Sequence, residues 1–309
     1  MPDPKPVAEG HPSKPPQSIP DATAPPKTST SSMFQVEIAA QSHTGNDGSN
    51  NADHYLVLRA ERSLESVLTN LPEAVLPRRF DEVAYGMLVA DGLGGMPADE
   101  MASAMAVSKL VELVVNTPDW IMKINRRKAA VVKRRMIERF RQVDEALRQH
   151  TEKEPRLLGM STTLTVACSL GADLFLGHIG DSRAYLLRGD ELHQLTRDHT
   201  LEQALIDAGI GEAENAIVRS MRRVLTAALG TSGLQFDPEV QHLQVCPGDQ
   251  LLLCTDGLTE SVDAATTASI LRAASSADEA CRALIEAALS GGGDDVTVVL
   301  ARYRFPQAA

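Results

Sequence analysis

Three apolar runs in this chain close on an aspartate set beside a glycine. MLVADG delivers Asp91-Gly92, FLGHIGD delivers Gly180-Asp181 and LLLCTDG delivers Asp256-Gly257. A fourth carboxylate, Asp294, follows the glycines of GGGDD, just ahead of the apolar run VTVVL. Short apolar runs bounded by glycine read as β-strands. Carboxylates delivered to strand ends from distant parts of a chain can converge at one edge of a sheet sandwich, where like charges repel strongly. A divalent cation is the usual resolution, and all-oxygen donors select Mg²⁺, Mn²⁺ or Ca²⁺ over zinc. The adjacent glycines Gly92, Gly180, Gly257 and Gly293 let the backbone turn sharply and let a peptide carbonyl approach an ion. A single Asp-Gly is most often a hairpin turn; four instances at strand ends weaken that reading.

The rest of the chain supplies the elements that such strands need. Strands, these runs included, are expected at Phe34 to Ala39, Tyr55 to Arg59, Ala84 to Ala90, Thr162 to Ser169, Asp173 to Ile179, Ala184 to Leu187, Leu251 to Cys254 and Val296 to Arg302. Many are near neighbours in sequence, which favours antiparallel hairpins and meanders. A helix is expected from Ala98 to Val115, and a second from Thr117 as N-cap with Pro118 and Asp119 in its first turn. Ile121, Ile124, Val132, Met136, Phe140, Val143 and Leu147 recur along the second helix at helical spacing. A third opens at the capping box Ser276-x-x-Glu279 and stops at the glycines beginning with Gly291. The pattern is α+β, with helices packed outside two sheets.

Residues 1–32 are Pro, Ser, Thr, Lys and Asp with hardly a large apolar side chain, a composition that cannot offset the entropy of ordering. They read as a disordered tail, and residues 33–309 as one domain. A formal charge of −11 disfavours nucleic acid and anionic membrane as partners. The basic residues Lys123 to Arg135 read as a solvated helix face. No apolar segment reaches membrane-spanning length and no signal core opens the chain, so a soluble, cytoplasmic protein is expected. Cys168, Cys246, Cys254 and Cys281 form no C-x-x-C pair and read as reduced core thiols.

The motifs VADGLGG (Val89 to Gly95), GMSTTLT (Gly159 to Thr165), HIGDSRAYLLRGDELHQLTRDHT (His178 to Thr200), LLCTDGL (Leu252 to Leu258) and GGGDDVTVV (Gly291 to Val299) stand in one particular order. Together they resemble the successive motifs of the PPM (PP2C-like) metal-dependent protein serine/threonine phosphatases of bacterial type, over essentially all of the chain after Met33. The resemblance implies a β-sandwich of two antiparallel sheets flanked by helix pairs, with a metal centre at one end. It implies that Asp91 bridges two Mn²⁺ or Mg²⁺ ions, that the Gly92 carbonyl binds the second, and that Asp256 and Asp294 complete the first. Asp181 would reach a third, weaker ion together with Asp256, and Asp53 would stand behind the direct ligands. The implied reaction is hydrolysis of phosphoserine and phosphothreonine on proteins by a metal-bridged hydroxide, with Asp91 and Asp256 acting through it. Phosphorylated proteins are then the substrates, and a cognate serine/threonine kinase is an expected partner.

The chain departs from the family pattern in its first motif, R-x-x-N-E/Q-D. Here GNDGSNNADHY keeps Asn51 and Asp53, but Gly48 stands where the family has a phosphate-binding Arg, and Ala52 replaces an acidic or amide residue. The substrate clamp is thereby unassigned, and a substitute cation or lower affinity is implied. Gly48 and Ala52 motivate the alternative of a catalytically weak phosphatase-like domain that binds phosphoproteins as a regulator. Leu93 occupies a position where some relatives carry a His that is a candidate general acid, which leaves the leaving-group proton to a metal-bound water. Arg183 reads as structural, and His199 as a hydrogen-bonded loop histidine. Asp295, where Asn is usual, either tightens metal binding or caps the turn before Val296. The stretch from His199 to Gly230 corresponds to a flap beside the active site, read as a mobile lid. Residues Glu61 to Arg79 exceed a tight hairpin and read as a surface loop.

Overall fold

A computed structural model describes residues 35–46, 50–65, 67–68, 79–95, 98–117, 126–210, 215–231 and 236–304. The tail 1–32, Gly48, Pro72, Pro77 and the Pro118-Asp119 helix start lie outside these residues. Eleven strands occur among them: β1 (Gln35–His43), β2 (Asp53–Glu65), β3 (Arg79–Leu93), β4 (Ser161–Thr162), β5 (Leu164–Leu170), β6 (Asp173–Ile179), β7 (Arg183–Arg188), β8 (Glu191–Gln194), β9 (Glu239–Gln244), β10 (Gln250–Cys254) and β11 (Val296–Arg304). They build two antiparallel sheets. One has the order β1-β11-β10-β7-β8; the other runs β2-β3-β5-β6-β9, with β4 paired to β3. The helices are α1 (Ala98–Val115), α2 (Arg126–Lys153), α3 (Leu201–Asp207), α4 (Ala216–Arg219), α5 (Asp256–Ser261), α6 (Ala264–Ala273) and α7 (Ala277–Gly291).

The two-residue period of the strands sorts their side chains into layers. On β10, Leu251 and Leu253 enter the core between the sheets, with Met87, Val89, Leu186 and Val299. Leu252 and Cys254 face the other way, against Leu284 and Ala288 of α7. On β3, Leu88 and Ala90 meet α1 and α2 through Ala102, Ala106, Met136 and Phe140. The strand LLLC is uniformly apolar because both of its faces are covered. The layers are helix, sheet, sheet, helix, the α+β sandwich expected from the motif order.

The same parity places the site. On β3 the inward positions Met87 and Val89 are followed two residues on by Asp91, and on β2 the inward position Val57 shares its parity with Asp53. Asp53 and Asp91 are directly paired across β2 and β3. Where the apolar ladder between the sheets runs out, carboxylates take its place.

Several local features differ from the sequence expectations. Thr117 donates its hydroxyl to the Leu113 carbonyl (2.7 Å) and accepts from Arg139 (2.8 Å), so it finishes α1. Strands β8 and β9 were not anticipated; their half-buried, mixed sequences ELHQ and EVQHLQ carry no apolar run. The hairpin between Glu61 and Arg79 is longer than expected because β2 and β3 stay paired as far as Glu65 and Arg79. The cap at Ser276 accepts from Glu279 N–H, while the Glu279 carboxylate reaches back to Ser275 N–H. All four cysteines are free, two buried and two half-buried. Among the described residues, no helix is long and apolar enough to cross a membrane.

Candidate active site at the carboxylate end of the sandwich

Asp91 is held through its backbone. Its N–H donates to the Thr163 hydroxyl (3.0 Å), and its carbonyl accepts from Thr163 N–H (2.9 Å) and from the Thr162 hydroxyl (2.7 Å). Those bonds leave the carboxylate free. Next to it, Gly92 donates to the Ala52 carbonyl (3.2 Å), and a Cβ on Gly92 would stand 2.0 Å from the Asp99 carbonyl oxygen. Only glycine admits that approach of α1 to β3. Gly180, at φ 112°, turns the chain out of β6 so that Asp181 follows in the same cleft. Gly293 differs: a Cβ there would meet nothing within 4 Å, so neither space nor a left-handed φ explains that glycine.

Asp256 is the first residue of α5, with Thr255 at the N-cap, rather than the last of a strand. The helix start carries partial positive charge, which favours a carboxylate there. Thr255 also ties the site together. Its hydroxyl donates to Asp53 Oδ2 (2.7 Å) and accepts from Thr297 N–H (3.0 Å), joining β2, the start of α5 and β11. Asp294 accepts from Asp295 N–H through Oδ1 (2.9 Å).

Asp295 acts as a clamp on the loop that precedes β2. Its Oδ1 accepts from Gly45 N–H (3.0 Å) and its Oδ2 from Ala52 N–H (2.7 Å). Both carboxylate oxygens are thus engaged by backbone donors in the loop that contains Gly48, whose own position lies outside the described residues. An asparagine could accept only through its single carbonyl oxygen, which supplies a physical reason for a carboxylate here. Of the two roles read from the sequence, the cap of the turn before Val296 does not describe these contacts, which reach back to the loop before β2.

The five carboxylates of the cleft interact electrostatically. Removal from bulk water raises the Asp91 carboxyl well above the usual range, and the charges of Asp53, Asp256, Asp181 and Asp294 add to the rise. Asp256 is raised in the same way, first by desolvation and then by Asp181, Asp294, Glu260 and Asp53. Asp53 and Asp181 are each pushed up to about 7, again chiefly by desolvation. Among these, only Asp53 is buried; Asp91, Asp181 and Asp256 are half-buried and Asp294 is exposed, so the cluster is open to solvent and ions. Among the described residues, no three His, Cys, Asp or Glu side chains close around one point as a preformed cage. The case for a cation therefore rests on donor chemistry. Asp53 Oδ1 is buried with no hydrogen-bond partner, and the cluster is all oxygen and mutually repelling, while the nearby Arg183 and Arg223 are tied to Asp198 and Glu260. These features fit a hard divalent ion.

The neighbouring histidines are structural. His178 is buried, stacked on His199 at 5.0 Å, with Nδ1 against the Thr165 hydroxyl (2.9 Å) and Nε2 against the Arg197 carbonyl (3.1 Å). Burial lowers its pKa to about 3, so it stays neutral. His199 Nδ1 accepts from Gly180 N–H (3.0 Å), which fixes the turn that presents Asp181. Arg183 is engaged by Asp198 through three contacts of 2.6–3.0 Å and donates to the Tyr185 hydroxyl (3.0 Å). The stretch from His199 to Gly230 folds into α3 and α4, and its return is fastened by Thr226 N–H to the His199 carbonyl and by the Thr162↔Leu229 bridge.

With this geometry in view, the comparisons with known proteins are decisive. The family model described as Protein phosphatase 2C matches residues 75–290. The chain belongs to the protein phosphatase 2C family. It is similar to the serine/threonine protein phosphatase PstP of Mycobacterium tuberculosis, at 40% identity over 218 residues, 70% of this chain and 40% of that protein. This match spans well under half of PstP's own length. The serine/threonine phosphatase stp of Listeria innocua is 34% identical over 223 residues, 72% of this chain and 85% of stp. The solved catalytic domain of PstP in complex with two manganese ions superposes with a TM-score of 0.67 at 32% identity, covering 88% of this chain and 99% of that one. The family-model match stops short of Asp53 on one side and Asp294 on the other. Strand pairing to β3 and the Thr255–Thr297 contact are what bring those two segments to the cleft.

Proposed function

We propose that this chain is a divalent-metal-dependent protein phosphatase that hydrolyses phosphoserine and phosphothreonine, built as one domain over residues 33–309 behind the tail 1–32. The observation that carries the reading is the carboxylate cleft itself: Asp91, Asp181, Asp256 and Asp294 repel one another in a cleft that also contains the buried, orphaned Oδ1 of Asp53. A cluster so costly in its own charge has a use where cations bind. Asp91, Asp256 and Asp294, with the Gly92 carbonyl, would hold two ions, Asp181 would contribute to a third, and Asp53 would orient the set through Thr255. Two manganese ions in the PstP catalytic domain support the count of two and the choice of manganese.

When bound, divalent ions acidify water enough for attack on phosphorus near neutral pH. The protein's own part is to fix the donors. The Thr162 and Thr163 bonds pin Asp91, the start of α5 holds Asp256, and the Asp295 clamp sets the loop against β11. Neutral His178 and His199 support the Gly180 turn without adding charge. Phosphorylated proteins are the substrates, and a serine/threonine kinase acting on the same proteins is the expected counterpart.

The test is release of phosphate from a phosphothreonine peptide and from p-nitrophenyl phosphate, with and without Mn²⁺, for the wild type and Asp256→Asn. Manganese-dependent release that disappears in the variant supports the assignment. Manganese binding with no turnover in the wild type favours the regulator that binds phosphoproteins without hydrolysing them.

A further inference from the structure

We propose that Arg219, on the last turn of α4, binds the phosphoryl group of the substrate. The inference rests on the phosphatase reading and concerns a role that the metal-holding residues leave open. Beside the carboxylate cleft lies a pocket of about 130 Å³, lined by Asp181 and Asp256, by Thr259 and Glu260 of α5, and by Arg219 and Arg222 of the flap. Asp198, Glu202 and Arg183 complete its lining. Of the five carboxylates a phosphate monoester meets there, Asp198 and Glu260 are already paired with arginines, and ions held by Asp181 and Asp256 would leave Glu202 unopposed. A further cation in the pocket would stabilise the incoming dianion.

The cations near the pocket differ in what they already hold. Arg183 is engaged bidentately by Asp198. Arg222 and Arg223 both pair with Glu260, which anchors the flap to α5. Arg219 has neither an ion pair nor a side-chain hydrogen bond among the described residues, and it is exposed. Its backbone is nevertheless fixed: Asn215 caps α4, buried Val218 roots it, and Arg219 N–H donates to the Asn215 carbonyl (2.9 Å). On the other side of Asp91, residues 44–53 contain no lysine or arginine, so that loop supplies no competing cation. A guanidinium has the fork that fits two phosphate oxygens at once. An arginine with no partner among the described residues, on a rooted backbone and lining the pocket that contains Asp181 and Asp256, is suited to phosphoryl recognition.

The experiment compares wild type, Arg219→Ala and Arg219→Lys, all loaded with Mn²⁺. Steady-state kinetics are measured on p-nitrophenyl phosphate and on phosphothreonine peptides with neutral or acidic flanks, and binding of inorganic phosphate is followed by calorimetry. Loss of a charged hydrogen-bonding partner corresponds to roughly 10- to 100-fold. Arg219→Ala is therefore expected to raise KM on all three substrates and the Kd for phosphate by that factor. Lysine should recover part of it, with kcat and Mn²⁺ affinity little changed. Unchanged KM and phosphate Kd would overturn the proposal. A rise confined to the acidic-flanked peptide would also overturn it, assigning Arg219 to flanking residues, and so would parallel loss of Mn²⁺ affinity or melting temperature, which marks a structural role. Absence of turnover in the wild type would count against the phosphatase reading alone, because phosphate calorimetry still decides the role of Arg219.

Discussion

The two ends of β10 carry carboxylates in opposite circumstances. Asp249, just before the strand, is 2% exposed and is gripped by Arg188 through Nε (3.1 Å) and Nη2 (2.8 Å), with a further bond from Cys246 N–H (2.7 Å). Asp256, two residues beyond the strand, is faced by Asp181, Asp294, Glu260 and Asp53. The first end is closed by a cation that the chain provides. The second is left open: Asp256 has no ion pair among the described residues, and the proposed metal site would take its cation from solvent. A buried ion pair and a proposed metal site begin from the same five-residue strand; what separates them is whether the sequence places an arginine opposite the acid.

Exchanging the acids should therefore give opposite results. Asp256→Asn is expected to reduce manganese-dependent turnover by about 10³-fold or more. The same change relieves repulsion, so the metal-free protein should become more stable by about 1 kcal/mol, a small gain because the cleft is solvent-screened. Asp249→Asn leaves Arg188 half-buried without its charge partner and should destabilise by about 3 kcal/mol, with turnover of the folded fraction retained. Urea unfolding in chelator, paired with phosphate release in Mn²⁺, reads both. Loss of stability in both variants would erase the distinction.

Asp295 tests whether the open end is organised by its own clamp. Asp295→Ala strips the acceptors from Gly45 N–H and Ala52 N–H and should cost about 2 kcal/mol, with weaker Mn²⁺ binding, because the loop beside Asp53 loosens. Calorimetric titration of the variant checks the second part. Undiminished Mn²⁺ affinity would confine Asp295 to stability.

The smallest effect is a dependence on pH. Asp53 and Asp181 hold their protons to about 7 in the metal-free fold, against an ordinary value of 3.8. Raised carboxyls mean that the folded state binds more protons than the unfolded chain, so metal-free stability should increase as pH falls through about 7. His178 acts in the opposite sense. Its pKa is about 3 when folded against 6.5, so its contribution is complete above 6.5 and is lost progressively as pH falls below that. Metal-free stability should thus rise as pH falls below about 7, and less steeply below 6.5, where the His178 contribution begins to be lost. Mn²⁺, which would hold the carboxylates ionised, should remove the rise and leave the His178 loss. Melting curves across this range, with chelator and with Mn²⁺, separate the two contributions.

Much of this was legible in the sequence because the motifs are short and local. The Asp-Gly strand ends, the run LLLC and the cap at Ser276 each carry their signal within a few residues. Helix α1 has the bounds expected of it, Ala98–Val115. The missing pieces are those set by distant partners. Strands β8 and β9 are half-buried and sit at sheet edges, so their sequences show no apolar run. The clamp made by Asp295 spans more than 240 residues to Gly45 and Ala52, and no local pattern distinguishes it from a turn cap. Arg219 stood in a mixed helical stretch, and its significance appears only when Arg183, Arg222 and Arg223 are seen to be engaged elsewhere. The glycine at 293 was legible as a motif, but nothing in the packing around it explains it.

The most direct test of the open carboxylate end is calorimetric titration of Mn²⁺ into the metal-free protein, for wild type and Asp256→Asn, with melting temperature followed alongside. The account predicts binding of at least two ions to the wild type, a raised melting temperature, and loss of at least one ion from the variant. Absence of Mn²⁺ binding by a folded wild type, or identical binding by Asp256→Asn, would contradict it.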